Sequence, residues 1–187
     1  MSRTARRTHD GVRGTEPIRV LMICHGNICR STMAEYVMRH LVRKRGLENR
    51  IVVDSAAATD DAVGMGVHRG TQEVLRRHGV PCGNHRAWQM TRADYGRYDL
   101  ICGMDQENLI DIYDILAGRP VSWWSRRSKP EPAGVDPEGK VHLLLDWSDH
   151  PRDIADPWYT GDFETTYRDV CEGCASLLAH LAKNPLP

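Results

Sequence analysis

Residues 24–31, with the sequence Cys-His-Gly-Asn-Ile-Cys-Arg-Ser, carry the groups that could act chemically on a phosphate. A cysteine ends a predicted strand, and after five intervening residues an arginine begins a predicted helix. The backbone N–H groups of such a turn and of a helix N-terminus can point at a phosphate dianion. Arg30 can bind two phosphate oxygens at once, Gly26 lets the backbone close around the anion, and Asn27 tolerates a left-handed conformation. The segment therefore predicts a phosphate-binding loop.

The same loop predicts a nucleophile at Cys24. A helix N-terminus and a neighbouring arginine stabilise the thiolate form of a cysteine, and the thiolate is the form that attacks phosphorus. Ser31 can donate a hydrogen bond to that sulfur. The alternative is that Cys24 is only a buried strand residue and Arg30 only a surface residue of the helix. The coincidence of a strand end, a glycine turn and a helix start favours the chemical interpretation.

The apolar patterns place this loop at the edge of a predicted parallel sheet. Thr91 and Asp94 have the spacing of a capping box ahead of the third strand. Because strands and helices alternate, we predict an α/β fold, an open four-stranded parallel sheet with helices on both faces. Ligands of such sheets bind outside the carboxyl ends of the strands, which is where Cys24 lies. The predicted strands are residues 18–24, 51–55, 100–104 and 141–145, and the predicted helices are residues 31–45, 71–78, 106–116 and 162–183.

The composition predicts one globular domain in a reducing compartment. The chain has 187 residues, of which 41% are hydrophobic and 27% charged. A formal net charge of zero gives no bulk attraction to nucleic acid or to a membrane surface. No apolar run reaches the roughly 20 residues that a membrane span needs. The six cysteines are interpreted mainly as reduced thiols, because the chain is too long and too rich in core residues for a disulfide scaffold.

The ends and one long loop are interpreted separately from the domain. Residues 1–17 carry four arginines and no apolar segment, so they predict a disordered basic tail rather than a secretory signal, and hence a cytoplasmic protein. Residues 18–187 are predicted to form a single domain with an irregular insertion at about 118–140. The insertion contains Trp123 and Trp124, followed by basic residues. These residues could form a docking surface for an acidic or phosphorylated partner, or pack against the domain, and burial of tryptophan favours packing.

Residues 20–35 resemble the signature of the low-molecular-weight protein tyrosine phosphatase family. The similarity covers about residues 18–181 apart from the insertion. It implies a flavodoxin-like sheet of the phosphotyrosine protein phosphatase I type. It also implies hydrolysis of phosphotyrosine or aryl phosphate monoesters through a phospho-cysteine intermediate, with no metal and no organic cofactor. The other segments that carry the resemblance are Asp54-Ser-Ala-Ala57, His85-Arg-Ala87, Met104-Asp105, Asn108-Leu109, Asp156-Pro-Trp-Tyr159 and Asp162-Phe-Glu-Thr-Thr-Tyr167.

The resemblance implies three catalytic residues. Cys24 is the nucleophile, Arg30 binds the phosphate, and Asp156 of the Asp-Pro motif is the general acid and then the general base. From the sequence alone an Asp-Pro pair is a common turn start, and Asp153 is a competing acid, so the choice of Asp156 depends on the family pattern. The implied phosphate- and substrate-binding residues are His25, Gly26, Asn27, Ile28, Cys29, Ser31, Trp158 and Tyr159.

The resemblance also implies a supporting shell and a redox pair. Ser55 and His85, together with the serine after the loop arginine, are implied to hold Asn27 by hydrogen bonds and so to fix the strained loop. Without the resemblance, His85 would be interpreted as an ordinary core or surface histidine. Cys29 is implied to form a reversible disulfide with Cys24, and it could equally be a small side chain that packs under the helix start.

Three features depart from the family pattern or remain outside it. His25 stands where the family usually has an apolar or acidic residue, so it could contact substrate or add positive charge. Asp61 stands where animal members carry an aromatic pocket wall, which weakens stacking on a phosphotyrosine ring from this side. The pair Cys171 and Cys174 has metal-like spacing, but it lies in the predicted last helix without a second ligand pair, so core packing is favoured.

Two other functions remain open on this sequence. An arsenate reductase on the same scaffold needs a closely spaced downstream cysteine pair, and here Cys82 is in the right neighbourhood but the next cysteine is Cys102. A phospho-ligand binding module without turnover is disfavoured because all three catalytic groups are present. The expected partner is a phosphotyrosine-containing protein, a tyrosine kinase among the candidates, with no nucleic acid, no membrane span, and a monomer or weak dimer as the assembly.

Overall fold

The computed structural model describes residues 16–121 and 132–183, which contain one four-stranded parallel sheet. The strand order is β2-β1-β3-β4, and every neighbouring pair is parallel. This confirms the predicted open sheet. The strands are β1 Ile18–Cys24, β2 Ile51–Ala57, β3 Leu100–Gly103 and β4 Val141–Leu143.

The four predicted helices are present with small differences at their ends, and two short helices were not predicted, one of them inside the predicted irregular insertion. The prediction ended β4 at Leu145, but the strand ends at Leu143, because Leu143 N–H donates to Asp146 and a 3-10 turn begins at Leu144. The capping box of Thr91 and Asp94 is present and begins a second 3-10 turn. The helices are α1 Arg30–Lys44, α2 Arg69–Arg77, α3 Gln106–Leu116, α4 Pro132–Val135, α5 Pro157–Thr160 and α6 Phe163–Lys183, and the 3-10 turns are Arg92–Arg97 and Leu144–Trp147.

Strand β1 is the centre of the domain because its alternate side chains enter two cores. Val20 and Met22 pack with buried side chains of α1, α2 and α6. Leu21 and Ile23 point to the other face and pack with buried side chains of α3. All four side chains are fully buried. The near-continuous apolar run that predicted β1 therefore reflects a strand covered by helices on both faces, as the fold prediction required.

The remaining predictions for the chain ends, the insertion and the last helix have different outcomes. Most of the predicted tail, together with Trp123 and Trp124, lies outside the described residues. Within α6, Cys174 is fully buried in the core and Cys171 packs at its margin, as the packing interpretation expects. In residues 16–121 and 132–183, no helix has the length and apolar character needed to cross a membrane.

Candidate active site

The predicted loop lies between β1 and α1, at the carboxyl edge of the sheet. Cys24 ends the strand and Arg30 begins the helix, and each is about 3% exposed. Asn27 has a φ of 56°, the left-handed conformation that the sequence suggested it could tolerate. The Cys24 Sγ and Ser31 Oγ atoms are 3.0 Å apart. Because Ser31 Oγ accepts a hydrogen bond from Asn27, its own hydrogen is available to the sulfur.

The side chain of Asn27 holds the loop through four hydrogen bonds. Its Nδ2 donates to Ser31 Oγ at 3.0 Å and to Ser55 Oγ at 2.9 Å. Its Oδ1 accepts from His85 Nε2 at 2.8 Å and from the backbone N–H of Trp88 at 3.3 Å. Both serines accept these bonds, because an amide nitrogen can only donate. Burial lowers the pKa of His85, and the contact with the Asn27 oxygen requires a proton on Nε2.

Glu35 is a buried member of this network that the sequence interpretation missed. It is about 3% exposed, accepts a hydrogen bond from Ser55 Oγ, and pairs with Arg39 at 2.8 Å. Burial raises the pKa of this carboxyl, while the Ser55 hydrogen bond and Arg39 partly oppose the shift. The signal available in the sequence was the four-residue spacing of Glu35 and Arg39 on one side of the first helix, directly after the loop.

The guanidinium of Arg30 contacts two carboxylates and one carbonyl. Nη1 donates to Asp105 and, at 3.2 Å, to Ile154 O, whereas Nη2 donates to Asp156 Oδ2 at 2.6 Å. Asp105 was not predicted as a site residue. The sequence feature that could have indicated Asp105 is its position between the predicted third strand and the helix that follows. In the structure its carboxylate caps α3 by accepting from Asn108 N–H. Asp105 therefore reaches the loop from the N-terminus of α3, and Asp156 from the N-terminus of α5.

The candidate acid is the N-cap of α5. Asp156 Oδ1 accepts from Trp158 N–H at 3.0 Å, and Pro157 stands at the first helical position. Trp158 is 63% exposed and Tyr159 is 80% exposed. The competing residue, Asp153, instead accepts from the backbone N–H of Gln106, and burial raises the pKa of its carboxyl.

One cavity of about 590 Å³ joins these groups. Cys24, Arg30 and Asp156 all line it, whereas Asp153 does not. The support residues lie behind the loop and do not face the cavity. Among the substrate-binding predictions, Asn27 and Ser31 belong to this support network, whereas His25, Gly26, Ile28, Cys29, Trp158 and Tyr159 line the cavity.

The rim of the cavity contains both a polar pair of side chains and exposed apolar side chains. His25 Nε2 and Asp61 Oδ2 are 2.9 Å apart, so the two departures from the family pattern form one polar pair. Met65 also lines the cavity and is 53% exposed, which nothing in the sequence pattern indicated. With Trp158 and Tyr159, this methionine gives the mouth exposed apolar surface beside a polar base.

The second loop cysteine is a protonated thiol. Cys29 is 5% exposed and lines the same cavity as Cys24. Burial, followed by the nearby Cys24 and Asp156, raises the pKa of Cys29 to about 12. Both cysteines are free in the structure.

The fold and the site together define a class of protein. It comprises α/β proteins in which a loop with a cysteine and an arginine follows the first strand and shares a cavity with an aspartate from a distant segment. A family model described as low molecular weight phosphotyrosine protein phosphatase matches residues 19–121. The low molecular weight protein-tyrosine-phosphatase YfkJ of Bacillus subtilis is 38% identical over 168 residues, which cover 89% of this chain and 97% of that protein. The chain therefore belongs to the low molecular weight phosphotyrosine protein phosphatase family.

Further relatives agree with this membership. The human low molecular weight phosphotyrosine protein phosphatase is 33% identical over 162 residues, which cover 85% of this chain and 92% of that protein. The crystal structure of YfkJ matches with a TM-score of 0.80 and 36% identity, covering 93% of this chain and 99% of that one. A structure of a Drosophila arginine phosphatase matches with a TM-score of 0.73 and 30% identity, covering 90% of this chain and 100% of that one.

Proposed function

We propose that this chain hydrolyses phosphotyrosine and other aryl phosphate monoesters through a phospho-cysteine intermediate on Cys24. The observation that carries the proposal is the shared cavity of Cys24, Arg30 and Asp156, which offers a nucleophile, a cation and a proton donor to one bound group. Membership of the family supports the same chemistry.

The reaction has two steps that use the same groups. In the first, the Cys24 thiolate attacks phosphorus in line, the bond to the ester oxygen breaks, and Asp156 gives its proton to that oxygen. In the second, Asp156 takes a proton from water, the water oxygen attacks phosphorus, and the thiolate leaves. Arg30 stabilises the charge on the transferring phosphoryl group in both steps. The hydroxyl of Ser31, 3.0 Å from the sulfur, stabilises the thiolate as it leaves.

The cavity mouth supports an aryl substrate carried on a protein. Trp158, Tyr159 and Met65 are exposed and line the mouth, where they can pack against an aromatic ring and its neighbouring residues. The partner would be a phosphotyrosine-containing protein, and a tyrosine kinase is one candidate. The cytoplasmic location and the monomeric or weakly dimeric state stay predictions from the sequence.

The alternative functions receive less support. Cys102 is fully buried in β3, Cys82 is exposed, and neither lines the cavity, so the thiol relay of an arsenate reductase lacks a second cysteine at the site. A binding module would not need Asp156 beside the loop. Thiol-dependent arsenate reduction that Cys82→Ser abolishes would reverse this ranking.

The proposal is tested by hydrolysis of aryl phosphates with good and poor leaving groups. We expect no turnover for Cys24→Ser. For Asp156→Ala we expect a loss of about 10²- to 10⁴-fold with the poor leaving group and a smaller loss with the good one, because protonation matters less there. Asp153→Ala is the matched control and should behave as wild type. Binding of aryl phosphate without release of phosphate near pH 6, with equal binding by Cys24→Ser, would establish the binding module instead.

The substrate class needs its own comparison. Because one structural relative is an arginine phosphatase, we would compare a phosphotyrosine peptide with a phosphoarginine peptide of the same sequence. The proposal expects a higher kcat/KM for the phosphotyrosine peptide, and the reverse order would overturn the aryl assignment while leaving the catalytic groups in place.

A further inference from the structure

His68 lies between the phosphate loop and the segment that carries Asp156, and it contacts both. Its backbone N–H donates to Ile28 O in the loop at 2.8 Å. Its ring meets the ring of Trp158 edge to face, with centroids 5.9 Å apart and an interplanar angle of 73°. His68 does not line the cavity. Any effect that it has on the reaction therefore passes through these neighbours.

The imidazole of His68 is held in one orientation by two further contacts. Its Nδ1 accepts a hydrogen bond from Gly70 N–H at 3.1 Å and so caps α2. Its ring stacks on Phe163 with centroids 5.0 Å apart and planes within 3° of parallel. A Cβ atom at Gly70 would lie 2.5 Å from the Phe163 ring, so glycine is what lets that ring approach the start of the helix. The edge contact with Trp158 is thus presented by a fixed ring.

Trp158 in turn anchors the candidate acid. Its backbone N–H donates to Asp156 Oδ1 at 3.0 Å, while Arg30 binds Oδ2. A displacement of Trp158 would move one of the two groups that orient this carboxylate. Because proton transfer needs the acid within hydrogen-bond reach of the leaving oxygen, a small displacement costs rate without preventing phosphate binding.

We propose that His68 is a positioning residue, which sets the position of Asp156 relative to the phosphate loop by linking Ile28 to Trp158. The inference depends on the proposed function, in which Asp156 is the general acid. The inference predicts that loss of the His68 ring slows protonation of the leaving group. It predicts no change in the affinity of the loop for phosphate.

The test replaces the ring but keeps the cap. Asparagine is among the best N-cap residues, so His68→Asn should retain the start of α2 while it removes both ring contacts. We expect kcat/KM to fall about tenfold for phenyl phosphate and by less than about twofold for 4-nitrophenyl phosphate, a part of the roughly 10²- to 10⁴-fold that a positioned acid supplies. Inhibition by inorganic phosphate should stay unchanged. Equal losses for the two substrates, or no loss, would overturn the inference.

His78→Asn is the matched control within the same helix pair. His78 follows α2 at its other end, stacks on Tyr167 of α6 with centroids 4.1 Å apart and contacts Glu164 at 2.5 Å, so its ring contacts are with α6 and not with Trp158. This variant should lower the melting temperature. The ratio of its kcat/KM values for phenyl phosphate and 4-nitrophenyl phosphate should stay that of wild type. A selective loss in His78→Asn equal to that in His68→Asn would overturn the inference, because any loosening of the two helices would then suffice.

Two more variants separate the possible failures. His68→Phe keeps a ring beside Phe163 but cannot cap α2, so it should lower the melting temperature. The ratio of its kcat/KM values for the two aryl phosphates should stay that of wild type. A changed ratio in a folded His68→Phe would count against the inference. If Asp156→Ala itself shows no selective loss, both the acid assignment and the inference fail. If Asp156→Ala shows the loss and His68→Asn does not, the inference alone fails.

Discussion

The guanidinium of Arg30 and the carboxylate of Asp156 are joined by a contact of 2.6 Å, which connects the phosphate loop to the segment that carries the candidate acid. Burial alone would lower the pKa of Arg30, but Cys24, Asp105 and Asp156 together raise it, so the side chain stays a cation. Its contacts to Asp105, Ile154 and Asp156 use at most three of the five N–H groups of a guanidinium. Donors therefore remain for a phosphate.

Replacement of Arg30 by lysine should impair catalysis although the charge is kept. A lysine ammonium cannot hold the two carboxylates and the Ile154 carbonyl in the same geometry or bind two phosphate oxygens in a fork. We expect kcat/KM to fall by about 10²- to 10³-fold, as for the loss of a preorganised donor to a transition state, with weaker inhibition by phosphate.

The control for this substitution is Arg76→Lys. Arg76 is exposed on α2 and pairs with Glu73 at 2.8 Å, away from the cavity. Exposed pairs of this kind contribute little to stability because water screens them, so activity should be unchanged. An Arg30→Lys enzyme with wild-type kinetics would contradict the role assigned to the guanidinium.

Removal of the Ser55 hydroxyl should weaken the loop support and the fold together. Ser55 Oγ accepts from Asn27 and donates to Glu35, so Ser55→Ala leaves two buried groups each lacking one partner. The expected loss of unfolding free energy is about 1–3 kcal/mol, measured by thermal or denaturant unfolding. The kcat/KM for aryl phosphates should fall as well, because Asn27 is then held less firmly.

The pH dependence of that loss follows from Glu35. Its pKa in the folded protein is raised above the ordinary value of 4.5 by burial, and the Ser55 hydrogen bond opposes the shift. Ser55→Ala should therefore raise this pKa further. A carboxyl with a raised pKa keeps its proton longer in the folded than in the unfolded chain, so stability is lost as pH rises above about 4.5. The difference in melting temperature from wild type should be larger at pH 7.5 than at pH 4.5, and a difference independent of pH would contradict this.

Alkylation should distinguish the two loop cysteines. The pKa of Cys29 is raised to about 12 by burial and the nearby Cys24, so below that pH its thiol is protonated and unreactive. With Cys24 as the proposed nucleophile, iodoacetate at pH 6–8 should label Cys24 and not Cys29, as read by peptide mass spectrometry. Inorganic phosphate should protect Cys24 and leave labelling of the exposed Cys82 unchanged. Rapid labelling of Cys29 in the folded protein would contradict the assignment.

A methyl group at Gly173 should destabilise the domain. A Cβ atom there would lie 2.8 Å from Leu144 Cγ and 3.0 Å from Leu144 O, where α6 packs on the 3-10 turn Leu144–Trp147. We expect Gly173→Ala to cost about 1–3 kcal/mol of unfolding free energy by overpacking. Gly96→Ala is the control, because a Cβ atom at Gly96 would meet nothing within 4 Å. Equal unfolding free energies for the two variants would show that the close approach of Gly173 to Leu144 does not require glycine.

The fold was largely predictable because its signals are local and repeated. The run in Ile18–Cys24 is apolar on both faces, which is the pattern of a central parallel strand covered by helices. The end of β4 was not predictable in the same way, because Leu144 and Leu145 are buried like strand residues although they lie in a 3-10 turn. Apolar residues indicate which positions are buried in the core. They do not indicate whether the backbone at those positions is a strand or a 3-10 turn.

The sequence by itself determined the loop, because a cysteine, a glycine, an asparagine and an arginine within seven residues meet the local demands of an anion-binding turn between a strand and a helix. Only the tertiary structure decided which distant groups reach it. Asp105 and Ile154 bind Arg30 from 75 and 124 residues away along the chain, and Glu35 reaches the loop through Ser55, to which it is bonded, and through His85 at 3.7 Å. The number of residues between two elements in the sequence does not give the distance between them in space. That distance is set by the parallel sheet, which brings the ends of its strands to one edge.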